Sequence, residues 1–280
     1  MWGVGFVVSG FTWRPISGVY VPWLKLVCEG EECWTPFWGE VLMELTERGY
    51  CRFCGSWSGS WACSLCESSR WVKMVRCILE GAGLPFGCSC SLDFSKLPCG
   101  SVTRAKRYCG SEHVVYIAGF GSILKAGVTR LARGGEPRGY ISRLVEQGAW
   151  YAAVLSGRLS LPEAQRAEQA IARELGLVTK VTFWEKVDAL SEDPMVCRRE
   201  VEDAAEEAAE ELGLKLLETV DLMEYYHPLP HDFDVCIEPQ LISGTVTGAI
   251  GPLVALESDG STQLIPLTGL VGRGIVDWEI

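Results

Sequence analysis

HVVYIAGFGSILKAGVTR, residues 113–130, is the stretch on which the reading of this chain turns. Two short apolar runs rich in β-branched residues, 113–118 and 123–128, flank Gly119-Phe120-Gly121-Ser122, and the pattern predicts a β-hairpin. Helical signals follow it. Ile141, Leu144 and Val145 recur at helical spacing over 140–147, with Gly148 placed as a C-cap. A second helix is expected from Ser160, where Glu163 completes a capping box, to Leu175, where Gly176 stops it. Residues 111–190 therefore read as a small α/β core.

The segments on either side are of different character. Residues 1–45 hold short apolar stretches split by Gly and Pro (Val7-Val8, Val19-Tyr20-Val21, Leu24 to Val27, Val41-Leu42-Met43), which predict an N-terminal β segment. Eight of the eleven Trp fall within the first 71 residues, where they are expected to pad a thin core. Residues 46–110 are Cys-rich with Gly and Ser between. Residues 191–280 begin with an acidic helix, about 198–212, with Val201, Ala204, Ala205, Ala208 and Leu212 on one face and Gly213 at its end. The Gly-punctuated strands at 245–247, 253–256 and 263–265 predict an antiparallel meander or small barrel. The fold class expected is α+β: a zinc-bound Cys-rich module, a small α/β core and a C-terminal antiparallel β meander. At 280 residues and 30.8 kDa the chain has room for two or three domains.

Cysteine is the compositional outlier. Eleven of the 13 fall between residues 28 and 109. The first basic residue is Arg14, so no charged n-region precedes an apolar run and no secretory signal is read; a cytoplasmic chain with a metal framework is the expectation. No apolar run approaches the ~18 residues of a membrane span. Cys51-x-x-Cys54 and Cys63-x-x-Cys66 are the strongest motif, because each such turn brings two thiolates within reach of one tetrahedral ion. The two pairs either close one site or belong to different ions. In the second case Cys28 and Cys33 join Cys51 and Cys54, and Cys63 and Cys66 join two of Cys77, Cys88, Cys90, Cys99 and Cys109, or His113. About two structural zinc ions are expected, since four thiolates leave no open coordination position. Cys197 and Cys236 lie outside the cluster and read as small buried hydrophobes.

The net charge is −11, which argues against a nucleic-acid binder whose whole surface is basic, but the charge is segregated. Residues 101–150 carry eight Lys/Arg against three acids, a local +5, with Lys125, Arg130, Arg133, Arg138 and Arg143 in and after the hairpin. Residues 181–238 carry four against seventeen, a local −13. Each is either an ordinary solvated face or a site: the basic stretch for RNA or DNA, the acidic helix for a basic protein partner. Glu168 shares a helical stripe with Ala164, Ile171 and Leu175, which is expected to face the sheet; a carboxylate there requires an Arg partner or a metal ion. Tyr116 and His113, three apart on one strand, are expected on opposite faces.

The order Cys cluster, His113-x-Val-Tyr116-Ile-Ala118, Lys125-x-Gly127-Val-Thr-Arg130, Gln147-Gly148-Ala149 and a later helix bearing Ala-Glu168 resembles the domain-of-unknown-function 2797 family over about residues 28–280, a family with no established activity. The Tyr-Lys-Gly hairpin also resembles a divergent GIY-YIG nuclease core over residues 113–175. That second likeness implies roles for particular residues. Tyr116 is the first-motif tyrosine, a general base or water-orienting phenol. Gly127 is the second-motif glycine. Arg143 or Arg130 is the arginine that neutralises a phosphate. Glu168 is the helix glutamate that holds Mg2+ or Mn2+ against a scissile phosphate. Lys125 departs from the pattern, which has tyrosine there, and tips the reading from a nuclease acting through Tyr116, Arg143 and Glu168 toward a nucleic-acid-associated protein with an inactive core. A protein-interaction scaffold is the third reading.

Overall fold

In the computed structural model, which describes residues 5–29, 31–52, 54–59, 111–132 and 138–279, the first hairpin turns on Ser17 and Gly18, both at positive φ (52° and 94°). Two consecutive left-handed residues make the tight turn whose twist matches right-twisted strands. The hairpin joins β1 (Phe6–Ile16) to β2 (Val19–Cys28). β2 runs straight through Pro22, whose carbonyl still accepts from the Phe37 N–H at 2.8 Å, so the two stretches distinguished in the sequence are one strand. β3 (Glu31–Pro36) and β4 (Gly39–Arg48) follow.

The chain divides into two units. The first comprises Met1–Ser69, Val145–Gly148 and Glu224–Ile280, the second Arg70–Leu144 and Ala149–Met223. In the first, β1–β4 share one sheet with β9 (Asp234–Val235), β10 (Leu241–Ile250), β11 (Leu253–Ser258), β12 (Ser261–Pro266) and β13 (Arg273–Glu279), in the order β3-β2-β1-β13-β4-β10-β11-β12-β9. All pairings are antiparallel except β12 with β9. β13 lies between β1 and β4, so the N-terminal strands and the C-terminal strands, read from the sequence as separate regions, form one sheet. Its core holds Val8, Leu24, Leu26, Phe37, Met43, Leu264 and Ile265, all buried. The tryptophans do less than expected there: Trp13 is buried, but Trp34 and Trp57 are exposed, and Arg14 lies against the rings of Trp23 and Trp34 at 4.6 and 5.1 Å.

The second unit is built on a four-stranded antiparallel sheet, β6-β5-β7-β8, formed by β5 (His113–Phe120), β6 (Ile123–Arg130), β7 (Tyr151–Leu159) and β8 (Leu216–Asp221). The expected hairpin is present and two residues longer in each strand, closed by Gly121 (φ 61°) and Ser122. The Ser122 N–H and hydroxyl both donate to the Glu192 carboxylate, at 2.5 and 3.1 Å. Helix α1 (Gly139–Gln147) separates β6 from β7, with residues 145–148 belonging to the first unit. Helix α2 (Leu161–Glu174) begins at Ser160 with the Glu163 carboxylate accepting from the Ser160 N–H, and packs on β5 and β6. Two further helices are α3 (Phe183–Ala189), capped by Thr182 and Glu185, and α4 (Pro194–Leu212). α4 starts a turn earlier than its periodicity suggested, because Asp193 caps it and Pro194 suits a first-turn position. It buries Cys197, Val201, Ala204, Ala205 and Ala208 and leaves Leu212 half-buried. A short helix, α5 (Leu267–Leu270), lies in the first unit. The described residues are thus mixed α+β, and none of their helices is long and apolar enough to cross a membrane.

β5 is buried at every position. Its register with β6 is unbroken, so residues directly opposite share a face. Gly119, opposite Leu124, faces α4: a Cβ added there would lie 2.4 Å from the Cys197 Sγ and 2.8 Å from a Val201 methyl. Phe120, Ala118 and Tyr116, opposite Ile123, Lys125 and Gly127, face the other way. His113, opposite Arg130, is fully buried, and burial pushes its pKa down to about 4, with Arg130 adding to the shift and the backbone of Ser111 and Leu159 offsetting part of it.

A depressed pKa on a base means that the unfolded chain takes up a proton the folded chain refuses. Above the unfolded value of 6.5 the neutral ring contributes its full stability; between 6.5 and about 4 that contribution is lost as pH falls. The loss amounts to about 3 kcal/mol. Urea unfolding of wild type and His113→Gln at pH 7 and pH 4.5 is expected to show a smaller acid destabilisation in the variant; equal slopes would remove His113 from the account.

Candidate functional site

The hairpin's β-alternation places Tyr116, Ala118, Phe120, Lys125 and Gly127 on one face of the sheet in the second unit. Tyr116 is buried, and its ring lies directly over Gly127: a Cβ on Gly127 would sit 2.3 Å from the phenol oxygen. Glycine is required there by the close approach of that ring, since any side chain would occupy the same space. The phenol is thereby held by its own cross-strand neighbour.

Charged groups gather around this face. Glu168, from α2, is half-buried on the stripe where Ala164 and Ile171 are buried, as its helical register implies. Burial raises its carboxyl pKa, and the nearby Lys125 ammonium offsets part of that rise. The cation beside Glu168 is thus Lys125 of β6. Lys186, from α3, rests its ammonium 5.2 Å from the centroid of the Phe120 ring. Its pKa is lowered to about 8, chiefly by burial, with the positive charges of Lys125 and Arg143 contributing to the shift. Lys125, Lys186 and Arg143 are therefore electrostatic neighbours drawn from β6, α3 and α1.

The other basic residues go elsewhere. Arg130 is five residues from Lys125 on the same strand, so alternation puts it on the opposite face, with His113. Arg138 reaches the Glu218 carboxylate of β8 at 2.5 Å and the Tyr140 hydroxyl at 3.2 Å. Arg133 lies outside the described residues. Lys186 went unnoticed in the sequence because it sits inside the segment counted as strongly acidic. Only the fold brings it to the hairpin.

Of the cysteines, Cys63, Cys66, Cys77, Cys88, Cys90, Cys99 and Cys109 lie outside the described residues. In the first unit, Cys51 and Cys54 occupy a turn closed on itself: the Gly55 N–H donates to the Cys51 carbonyl and the Cys51 N–H to the Ser56 carbonyl, both at 2.8 Å. Gly55 takes φ 78°, and Tyr50 bridges to Trp57 just outside the turn. Cys28 ends β2 and Cys33 is exposed on β3. Among the described residues no three of His, Cys, Asp and Glu are grouped as a metal site. Cys197 is buried, its thiol pushed up to about 12 chiefly by burial, as suits a packing residue; Cys236 is half-buried.

The family described as "Protein of unknown function (DUF2797)" matches residues 40–264. No curated protein and no solved structure matches the chain.

The packing of Tyr116 on Gly127 can be tested directly. Gly127→Ala is expected to displace the phenol and to destabilise the protein by about 1–3 kcal/mol, the range for forcing an extra carbon into a filled space. Gly127→Ala combined with Tyr116→Leu should recover part of the loss. Denaturant unfolding of Gly127→Ala, Tyr116→Leu and the double variant gives the three values, and additive losses would contradict the contact.

Proposed function

The chain belongs to the DUF2797 family, and we propose that its second unit is a nucleic-acid-binding core in which a divergent GIY-YIG-like face grips the phosphate backbone without cutting it. The observation that carries this reading is Lys125 on the face of Tyr116 and Gly127 with Glu168 beside it, and the charge of Arg143 felt, with that of Lys125, at Lys186. The order β5, β6, α1, β7, α2 supports the likeness, as does the arrival of Glu168 from α2 beside Lys125 of the hairpin that also carries Tyr116. Phosphate contacts made by Lys and Arg supply sequence-independent affinity, and clustered cations on an otherwise acidic protein localise it.

Lys125 also argues against cleavage. In the metal-assisted scheme, a carboxylate such as Glu168 holds a divalent ion that stabilises charge on the leaving oxygen. Here a fixed ammonium already offsets the Glu168 charge, and a second cation competes with it. The reading is therefore binding, with Mg2+- or Mn2+-dependent hydrolysis through Tyr116, Arg143 and Glu168 as the alternative. Fluorescence anisotropy with labelled single-stranded and duplex oligonucleotides at low salt decides the first point. Wild type is expected to bind, and Lys125→Ala with Arg143→Ala to bind about tenfold or more weakly; equal affinity in the double variant overturns the reading. Incubation with Mg2+ or Mn2+ is expected to leave the oligonucleotide intact, whereas cleavage lost in Glu168→Ala would establish the nuclease.

The same reading gives the Cys-rich segment a structural zinc role. The closed turn at Cys51–Gly55 supports it, because it holds two cysteines in a short loop whose backbone hydrogen bonds are already satisfied. Cys51 and Cys54 then supply half of a tetrahedral set, with Cys63 and Cys66 the first candidates for the other half. Elemental analysis of protein purified without added metal is expected to give about two zinc ions per chain. A metal-free protein with these cysteines in disulfides would refute it.

A further inference from the structure

The acidic helix α4 has no part in the nucleic-acid reading, yet it forms one wall of a groove in the second unit. The groove has a volume of about 530 Å3, and every residue lining it belongs to that unit. Pockets of this size hold drug-sized ligands. Its other walls are the hairpin turn at 122–124 and the segment that follows α2, residues 175–178. That segment is fixed to the hairpin. The Val178 N–H donates to the Leu124 carbonyl at 3.2 Å, and the Val178 carbonyl accepts from the Ala126 N–H at 2.9 Å. Helix α4 is fixed to the same hairpin through Cys197 and Val201, which fill the space beside Gly119, and the Glu192 carboxylate ties the turn itself. The groove is therefore bounded by elements anchored on one pair of strands.

The walls differ in chemistry. Leu124, Leu177 and Val178 present apolar surface, and Val178 stays 38% exposed although its backbone is paired. Helix α4 contributes Glu200, Asp203 and Glu207, with Ala204 among them. The spacing i, i+3, i+7 puts the three carboxylates on one stripe of the helix. Among the described residues none of the three makes an ion pair or a side-chain hydrogen bond, whereas Glu202, elsewhere around the helix, is engaged by Arg198 and by the Tyr151 hydroxyl. Like charges at this spacing weaken a helix, and a cationic ligand relieves them. The groove therefore suits a ligand with positive charge on one side and apolar groups on the other. An extended peptide has this form, because successive side chains point to opposite sides. Its alternate residues lie about 7 Å apart, close to the roughly 5–6 Å between neighbouring positions of the α4 stripe. From Glu200 to Glu207 the helix rises about 10 Å, the length of about three extended residues.

We propose that the groove docks a basic segment of a partner protein in extended form, with lysine or arginine side chains against Glu200, Asp203 and Glu207 and apolar side chains against Leu177 and Val178. The proposal is independent of the nucleic-acid reading. The groove lies on the side of β5 that α4 covers, where Leu124 stands opposite Gly119, and none of Tyr116, Lys125 or Glu168 lines it. An acidic wall also repels a phosphate backbone, so the groove selects a peptide over a nucleic acid.

The test uses the full chain and a fluorescein-labelled heptapeptide of alternating lysine and leucine, read by fluorescence anisotropy at low salt. Wild type is expected to bind, and the triple variant Glu200→Gln, Asp203→Asn, Glu207→Gln to bind about tenfold or more weakly. A second triple variant, Glu40→Gln, Glu257→Gln, Asp259→Asn, removes three exposed charges from the first unit. It should bind within about twofold of wild type, because exposed charges beyond a Debye length of the groove are screened. Equal losses in the two triple variants would trace the affinity to net charge and overturn the site. The thermal midpoint of the α4 variant should equal or exceed that of wild type, since like charges on one helix face are gone, and this separates lost binding from lost structure. Val178→Ser tests the apolar wall and is expected to weaken binding about threefold or more. A heptapeptide alternating lysine and glycine carries the same charge without the apolar side and should bind about tenfold more weakly. Equal affinity for it, or for spermine in competition, would mark a site for small cations and overturn peptide docking. If wild type fails to bind the lysine–leucine peptide at low salt, the proposal falls, and the oligonucleotide result stands apart from it.

Discussion

Strand β5 can be buried along its whole length because two glycines make room for what covers it. Gly119 gives up a side chain on one face, and the Cys197 sulfur and Val201 of α4 occupy the space. Gly127, across the hairpin, gives up a side chain on the other, and the Tyr116 ring occupies that space. Close packing of this kind tolerates no added carbon, so both faces of the central strand are fixed in position as well as covered. The turn is secured by Glu192, and the strand's first residue, His113, is buried without charge. The second unit depends on this strand, and so does the site.

The charged residues come from different elements of the chain. Lys125 stands on β6, opposite Ala118. Glu168 comes from α2, which packs on β5 and β6, and its partly buried carboxyl finds Lys125. Arg143 and Lys186 come from helices on either side of β7 in sequence. These side chains carry positive charge on a chain whose net charge is −11. The acidic α4 lies against the opposite face of β5, where Gly119 receives it.

The first unit solves a different problem. Its strands come from the two ends of the described chain and meet where β13 inserts between β1 and β4. Short hairpins at Ser17-Gly18 and at Asp259-Gly260, each with two consecutive positive φ values, set the local register on both sides of that junction. The Cys51–Cys54 turn follows β4 directly, with the N–H groups of Gly49 and Tyr50 donating to the Gly272 carbonyl at 3.1 and 3.0 Å. The entrance to the Cys-rich segment is thereby tied to the sheet.

Local signals were enough to read the elements of the second unit. The hairpin at 119–122, the capping box at Ser160 and Glu163, the C-cap at Gly148 and the stop at Gly213 each depend on a few adjacent residues, and each appears in the structure. The stripe holding Glu168 was legible for the same reason, as was the separation of Tyr116 from His113 by alternation. What the sequence could not disclose was which distant residues would meet. Arg130 falls on the far face from Lys125 although it is five positions away, because strand periodicity outweighs proximity in the chain. Glu168 has Lys125 as its cationic neighbour where an arginine was equally compatible with its register. Lys186, hidden in an acidic stretch, reaches Phe120 only through the course of α3 between two anchored ends. The shared sheet of the N- and C-terminal strands was equally invisible, since strand pairing is a contact between segments more than 200 residues apart, as in Phe6 with Ile275. The sequence by itself determined the local geometry, which backbone sterics and capping set over a turn or two; the tertiary structure alone decided the neighbours of each charge, because packing of whole elements, and no local rule, brings their side chains together.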